Sequence, residues 1–214
     1  MDHVRHVVWD WNGTLLDDVG LCVEIINGML VRRGCSPIEV QHYRTVFDFP
    51  VQAYYERVGF DFSRETFEEA AGEFVHAYAS RVGECSLQEG ARELLELFAA
   101  RGIPQSVLSA TEQGQLDKMV AEFGLGHLFD RVVGQTNYHA EGKTRTAERL
   151  FRSVSVAADK MLLIGDTTHD YSVAHAAGVS CVLVCVGHQC REKLVRTGAP
   201  VVQALHEIPK LLAQ

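Results

Sequence analysis

The stretch "VVWDWNGTLLDD", residues 7–18, runs two valines and a tryptophan into Asp10, breaks at Asn12-Gly13-Thr14 and turns apolar again. β-formers that end on a carboxylate, with a glycine to turn the chain soon after, read as a short buried strand over residues 4–10. From Asp17 the period changes. DVGLCVEIINGMLVRRG sets Leu21, Ile25, Ile26, Met29 and Leu30 on one helical face and stops at Gly34. Pro37 opens a second expected helix, Pro50 a third, and SRETFEEAAGEFVHAYASRV a fourth, with Ser63 as N-cap and Thr66, Glu68 and Glu69 in its opening turns.

After Leu87 the rhythm changes again. QEGARELLELFAARG, EQGQLDKMVAEFG, KTRTAERLFRSV, HDYSVAHAAG and CREKLVRTG read as helices; PQSVLSA, DRVVGQ, DKMLLIGD, GVSCVLVCVG and APVVQAL read as strands between them. Strand and helix alternating through short loops specify an α/β fold: a doubly wound, Rossmann-like, mostly parallel sheet with helices on both faces. The first strand belongs to that sheet, so residues 17–87 form an inserted all-helical domain, and residues 1–16 and 88–214 form the core.

The bulk properties agree. A chain of 214 residues holds one core domain with a smaller insertion, and 47% apolar with 22% charged residues is a globular composition. A formal charge of -8 without a basic run argues against nucleic acid and anionic membrane as partners. MDHVRHVVWD lacks the parts of a secretory signal and no stretch has the length of a membrane span, so a cytoplasmic address is expected. The six cysteines include no C-x-x-C pair. Cys181 and Cys185, evenly spaced in one strand, are expected to be small buried hydrophobes, and a soft-metal site with Cys190 is disfavoured.

In an open parallel sheet, ligands bind at the carboxyl ends of the strands. Those ends offer Asp10 after VVW, Ser109 after SVL and Asp166 after MLLIG, while Lys143 opens a helix. GDTTHD sets Asp170 four residues past Asp166, so both carboxylates can point to one spot beside Asp10. Three carboxylates there repel one another unless a cation joins them, and Mg2+, which takes a few carboxylates and substrate phosphate, suits the set. Lys143 and Ser109 supply a positive charge and a hydroxyl for phosphoryl oxygens. Asp10 is the best-placed nucleophile, able to form an aspartyl-phosphate. Gly13 lets the backbone approach a substrate, and Thr14 offers a hydroxyl or N–H to a phosphate oxygen.

These residues resemble the haloacid dehalogenase superfamily of phosphohydrolases: DWNGTL at 10–15, LSA with Ser109 and Ala110, EGK with Lys143, and IGDTTHD with Asp166 and Asp170. The helical insertion resembles the α-helical cap of the phosphoglycolate phosphatase-like branch. The resemblance implies Mg2+-dependent hydrolysis of a small phosphorylated metabolite through Asp10, by a monomer or homodimer. It also implies that Ser109, Ala110 and Lys143 bind phosphate and that the main-chain carbonyl at Asn12 joins Asp10, Asp166 and Asp170 around the metal. One position departs from it. Where such phosphatases carry an aspartate as proton carrier, this chain has Asn12, and an amide cannot trade protons near neutral pH. A slow phosphatase with a lingering phospho-Asp10 is expected; the alternative is an impaired relative that binds phosphate or a protein as a regulator.

Other readings compete at single positions. Asp10 could cap a turn, Ser109 a helix, and Asp170 could be no more than first-turn acid. His139 and His169 are remote candidates for a substitute proton carrier. Arg32, Arg33, Arg44 and Arg57 are read as solvated helix residues rather than ligands. Tyr54, Tyr55, Phe74 and Tyr78 could serve the insertion's own core or a dimer contact. Residues 17–87 contain no lysine, which removes Schiff-base phosphonate cleavage, and the retained acidic pair argues against a dehalogenase.

Overall fold

The computed structural model describes residues 3–135 and 142–213, with only the backbone of Gly142 and Lys143 among them. Its first element is β1 (His6–Trp9), followed through the DWNGTL turn by the two-residue β2 (Leu16–Asp17). Then come the helices α1 (Val19–Arg32), α2 (Val40–Val46), α3 (Val51–Val58) and α4 (Phe67–Arg81), and β3 (Ser86–Leu87), which pairs antiparallel with β2. The chain continues through α5 (Ala91–Ala100), β4 (Gln105–Glu112), α6 (Gln113–Glu122), β5 (Arg131–Gln135), α7 (Gly142–Ser153) and β6 (Met161–Gly165). It closes with α8 (Thr168–Ala176), β7 (Ser180–Val184), α9 (Arg191–Val195), β8 (Val201–Val202) and α10 (Ile208–Leu211).

The described strands form a sheet in the order β5-β4-β1-β6-β7-β8, parallel throughout, as the alternation of periods requires. β1 lies in its interior, with β4 on one side and β6 on the other, so the connections wind outward in both directions from β1. The period of two sorts the core by face. Val7, Trp9, Val107, Leu162 and Ile164 share one apolar cluster with α5 and α6, and that cluster runs on into the helices of residues 17–87. Val8, Leu108 and Leu163 share another with Leu150 and Phe151 of α7 and Val173 of α8.

The insertion's first helix buries the face that the sequence marks: Leu21, Ile25, Ile26, Met29 and Leu30 are all buried. Three details depart from expectation. α2 begins at Val40, with Glu39 as N-cap, rather than directly at Pro37. α4 is capped by Thr66 and not Ser63, because Thr66 has Glu69 at the third helical position and the two form a capping box. Ser63 instead folds onto the Asp61 carboxylate in the preceding turn. Cys181 and Cys185 are half-buried rather than fully buried, and all six thiols are free.

α1 is tied to α4 by charge. Arg33 donates to Glu65 (2.5 and 2.6 Å) and to Glu73 (2.7 Å), and Arg32 pairs with Glu73 as well. Partial burial would raise the Glu73 carboxyl, but the two guanidiniums override it and hold it below the usual range. A depressed carboxylate stabilises the fold above its unfolded value and loses that contribution as pH falls through the folded one. Glu73→Gln is expected to flatten the acid limb of stability: between about pH 6 and about pH 3 the variant's urea midpoint falls less than the wild type's.

Candidate active site

Because β1 is interior, its carboxyl end sits in the crevice between the loops that follow β4 and β6, the place where an open parallel sheet binds ligands. The Asp10 N–H extends the ladder by donating to Ile164 O (2.9 Å), which fixes Asp10 beside the residues that follow β6. Oxygens of Asp10, Asp166 and Asp170 lie within 4.8 Å of one another, and all three residues are buried. Burial raises the Asp166 carboxyl first and the charge of Asp170 raises it further, while His188 pulls the other way. A donor set of hard oxygens whose middle member is pushed toward its neutral form fits a divalent cation such as Mg2+.

The surrounding groups brace this cluster. Thr14 is fully buried, and its hydroxyl lies 3.2 Å from Asp10 Oδ2 and 3.0 Å from Asp166 Oδ1, bridging the two carboxylates instead of facing a substrate. His188 N–H donates to Asp166 Oδ2 (2.6 Å). Thr167 N–H and Oγ1 donate to Asp170 Oδ2 (3.0 and 2.7 Å), so Asp170 is also the acidic partner in the capping box of α8. Gly13 has φ +76°, and a Cβ there would lie 2.5 Å from Asp166 Oδ2 and 2.6 Å from the His188 ring. Glycine is therefore required at 13 by the packing of the carboxylate site itself.

Position 12 is saturated with hydrogen bonds. The Asn12 amide donates to Asp18 Oδ2 (2.9 Å) and to Tyr78 OH (2.7 Å). Its carbonyl accepts from Thr111 Oγ1 (2.7 Å) and Ser109 Oγ (3.2 Å). Tyr78 OH in turn donates to Asp18 Oδ2 (2.7 Å), and Gly13 N–H donates to Asp18 Oδ1 (2.9 Å). Ser109 is fully buried, with its hydroxyl also accepting from Thr111 N–H (3.0 Å). β4 does not end there: it continues through a register shift to Glu112, which leaves Ala110 and Thr111 on the cavity.

Asp18 and His188 are the residues that the sequence reading passed over. Asp18 occupies the N-cap position of α1 yet makes no capping bond, because its carboxylate is turned back to the DWNGTL loop. His188 Nε2 lies 3.2 Å from Asp18 Oδ1, and its Nδ1 pairs with Tyr43 OH at 2.8 Å. Burial would lower the imidazole, but Asp18, aided by Asp166 and Asp10, pushes it up to about 9. Burial likewise raises Asp18, and His188, Tyr78 and Asn12 override that to hold it low. The available signals were the Asp17-Asp18 doublet and the Gly187-His188 corner beyond β7, another strand end on the same sheet edge.

Lys143 is the second residue of α7, but its side chain lies outside the described residues, as does His139. His169 lines the cavity with its ring 4.8 Å from that of Phe49. Arg32 and Arg33 are spent on glutamates, and Arg57 donates to Val46 O (3.0 Å). Arg44 reaches the Gly187 and Val186 carbonyls (2.9 and 2.8 Å) and so fastens α2 to the loop of His188. Above the carboxylates lies a cavity of about 560 Å³, to which Tyr54, Tyr55, Phe74 and Tyr78 contribute.

The family model for haloacid dehalogenase-like hydrolases matches residues 7–184. The chain belongs to that family. Among the relatives of this hydrolase is a phosphoglycolate phosphatase of Rhodospirillum rubrum, 27% identical over 208 residues, which span 92% of this chain and 86% of that protein. Among solved structures, a haloacid dehalogenase-like family hydrolase from Streptococcus pneumoniae superposes with a TM-score of 0.82 at 16% identity, covering 99% of this chain and 100% of the other. Protein Tyrosine Kinase A of Mycobacterium tuberculosis gives 0.80 at 21% identity, covering 99% of each. At such identities the two structures show a shared fold. No helix among the described residues is long and apolar enough to cross a membrane.

The hydrogen bonding of Asn12 yields a stability prediction. Asn12→Asp replaces a donor 2.9 Å from Asp18 with a second carboxylate, and is expected to cost about 1–3 kcal/mol in urea unfolding. The swap Asn12→Asp/Asp18→Asn restores one donor and one carboxylate across the same contact and is expected to recover most of that loss.

Proposed function

We propose that this hydrolase is a phosphatase for small phosphate monoesters, with Asp10 as nucleophile and the helical segment 17–87 acting as a cap over a core of residues 1–16 and 88–214. The observation that carries the reading is the buried group of Asp10, Asp166 and Asp170 oxygens at the carboxyl edge of β1 and β6. The phosphoglycolate phosphatase name of the Rhodospirillum rubrum relative supports the reaction class. Asp10 and Asp166, with Asp170 and the main-chain carbonyl of Asn12, would hold Mg2+. When bound, the ion supplies positive charge that lets two anions approach.

An Asp10 oxygen attacks phosphorus as the bond from phosphorus to the ester oxygen breaks, giving an aspartyl-phosphate and an alkoxide that takes a proton from water. Water then attacks the same phosphorus, the bond to Asp10 breaks, and phosphate leaves with the proton balance restored. Lys143 is assigned to the phosphoryl oxygens along with the Ala110 backbone, while Gly13, Thr14 and Ser109, whose polar groups are turned to Asp18, to Asp10 and Asp166, and to Asn12, brace the loop around them. Asn12 holds the DWNGTL loop to Tyr78 and Thr111 and carries no proton in either step. Both proton transfers therefore go to solvent, and the second step is slow.

With Mg2+, release of phosphate from p-nitrophenyl phosphate is expected, falling to background in Asp10→Ala and after chelation of the metal. Acid-quenched wild type is expected to retain labelled phosphate on Asp10. The charge-neutral swap Asn12→Asp/Asp18→Asn is expected to raise turnover by about 10²-fold and to shorten the life of the phosphoenzyme. Phosphate binding without Asp10-dependent release would instead favour a regulatory role.

A further inference from the structure

The wall opposite the carboxylates is built by the helical segment, and its chemistry is uniform. Phe47, Tyr54, Tyr55, Phe67, Phe74 and Val75 line it. The rings form an edge-to-face cluster: Phe47 and Tyr54 centroids are 5.3 Å apart, Tyr54 and Tyr55 5.6 Å, and Tyr55 and Phe67 5.8 Å.

Cations are missing from that wall. Residues 17–87 contain no lysine and six arginines, and none of the six lines the cavity. Each is committed elsewhere: Arg32 and Arg33 to Glu73, Arg44 and Arg57 to carbonyls, Arg64 to Asp61, and Arg81 to Glu24 and Glu84. The ionised group that the segment does present to the cavity is the Asp18 carboxylate, and Glu112 adds another acid from β4. Three uncharged donors on the cavity lack partners among the described residues: the buried hydroxyl of Tyr54 and the side-chain amides of Gln115 and Gln135. His188, the imidazolium on this cavity, is already paired with Asp18, so a carboxylate placed among these rings would lose its hydration with no uncommitted cation of residues 17–87 to replace it, whereas a ring or an alkyl chain would gain from burial. An unpaired neutral donor is suited to a neutral acceptor on the same ligand.

We propose that the ester hydrolysed here carries an uncharged aromatic or apolar alcohol, seated against the cap's aromatic wall, and that the cap discriminates against small anionic esters. The proposal rests on the phosphatase reading for where the phosphoryl group sits. It separates this chain's substrate class from the one in the name of its Rhodospirillum rubrum relative.

The test compares kcat/KM, with Mg2+, for 2-phenylethyl phosphate, ethyl phosphate and 2-phosphoglycolate; the first two esters release alcohols of similar acidity. The phenyl ester is expected to exceed the ethyl ester by about 10- to 100-fold and 2-phosphoglycolate by at least as much. Val75→Arg, which sets a cation in the wall, is expected to narrow the gap with 2-phosphoglycolate. Equal or reversed preference in the wild type overturns the proposal while leaving a phosphatase in place. If no ester is turned over, the phosphatase reading fails, and calorimetric binding of 3-phenylpropylphosphonate against 3-phosphonopropionate decides the substrate class alone. Tighter binding of the phenyl compound supports the proposal; equal, reversed or absent binding of both overturns it.

Discussion

Three buried carboxylates close enough to share one ion repel each other, and the polar architecture around β1 is arranged to tolerate them. The Thr14 hydroxyl lies between two of them, the His188 N–H faces one and the Thr167 N–H and hydroxyl face another. Even main-chain packing is subordinate to this. A Cβ at Gly187 would overlap the Asp166 carboxyl, and so would one at Gly13. The site is thus a pocket in the backbone shaped to hold charge, and the turn after β1 has its form because Asp166 occupies the adjoining space.

Much of this was legible in the sequence, for reasons that differ from residue to residue. Asp10 and Asp166 could be found because a short apolar run that stops on an acid is a strong signal in a parallel sheet, and such ends converge. The helical segment could be found because Leu21, Ile25, Ile26, Met29 and Leu30 keep the period of a buried helical face. Ser109 shows the limit of that reasoning. Its position after SVL looked like a strand end, but the bulge between Leu108 and Glu112 carries β4 onward and turns the hydroxyl to Asn12. A bulge leaves little trace in hydrophobic periodicity.

Asp18 was missed for a different reason. An acid just before a helix is the ordinary picture of a cap, and only tertiary structure reveals that the expected capping bond is absent. The carboxylate gives up a local partner for Gly13, Asn12, Tyr78 and His188, which lie far apart in the sequence. His188 is equally invisible to local pattern, since nothing in VGHQC shows that the loop after β7 returns across the site. The aromatic wall was seen only as composition, because a helical period cannot say which neighbour a buried face meets.

The cavity and the DWNGTL loop are not independent parts. Tyr78 and Tyr43 present rings to the cavity, while their hydroxyls reach Asp18 and His188. The loop that carries His188, and α9 after it, are held to α2 and the residues that follow α2, through Arg44 on the Val186 and Gly187 carbonyls and Lys193 of α9 on Phe47 O (2.8 Å) and Asp48 (3.2 Å). Any ligand that shifts these rings must therefore move the groups that fix Asn12, Gly13 and Asp166. A cap joined to the core by a short ribbon at β2 and β3, and by these side chains at its far edge, couples occupancy of the aromatic wall to the placement of the carboxylates. On the proposed reading, an ester that fills the wall would be favoured through the geometry at Asp10 as well as through binding.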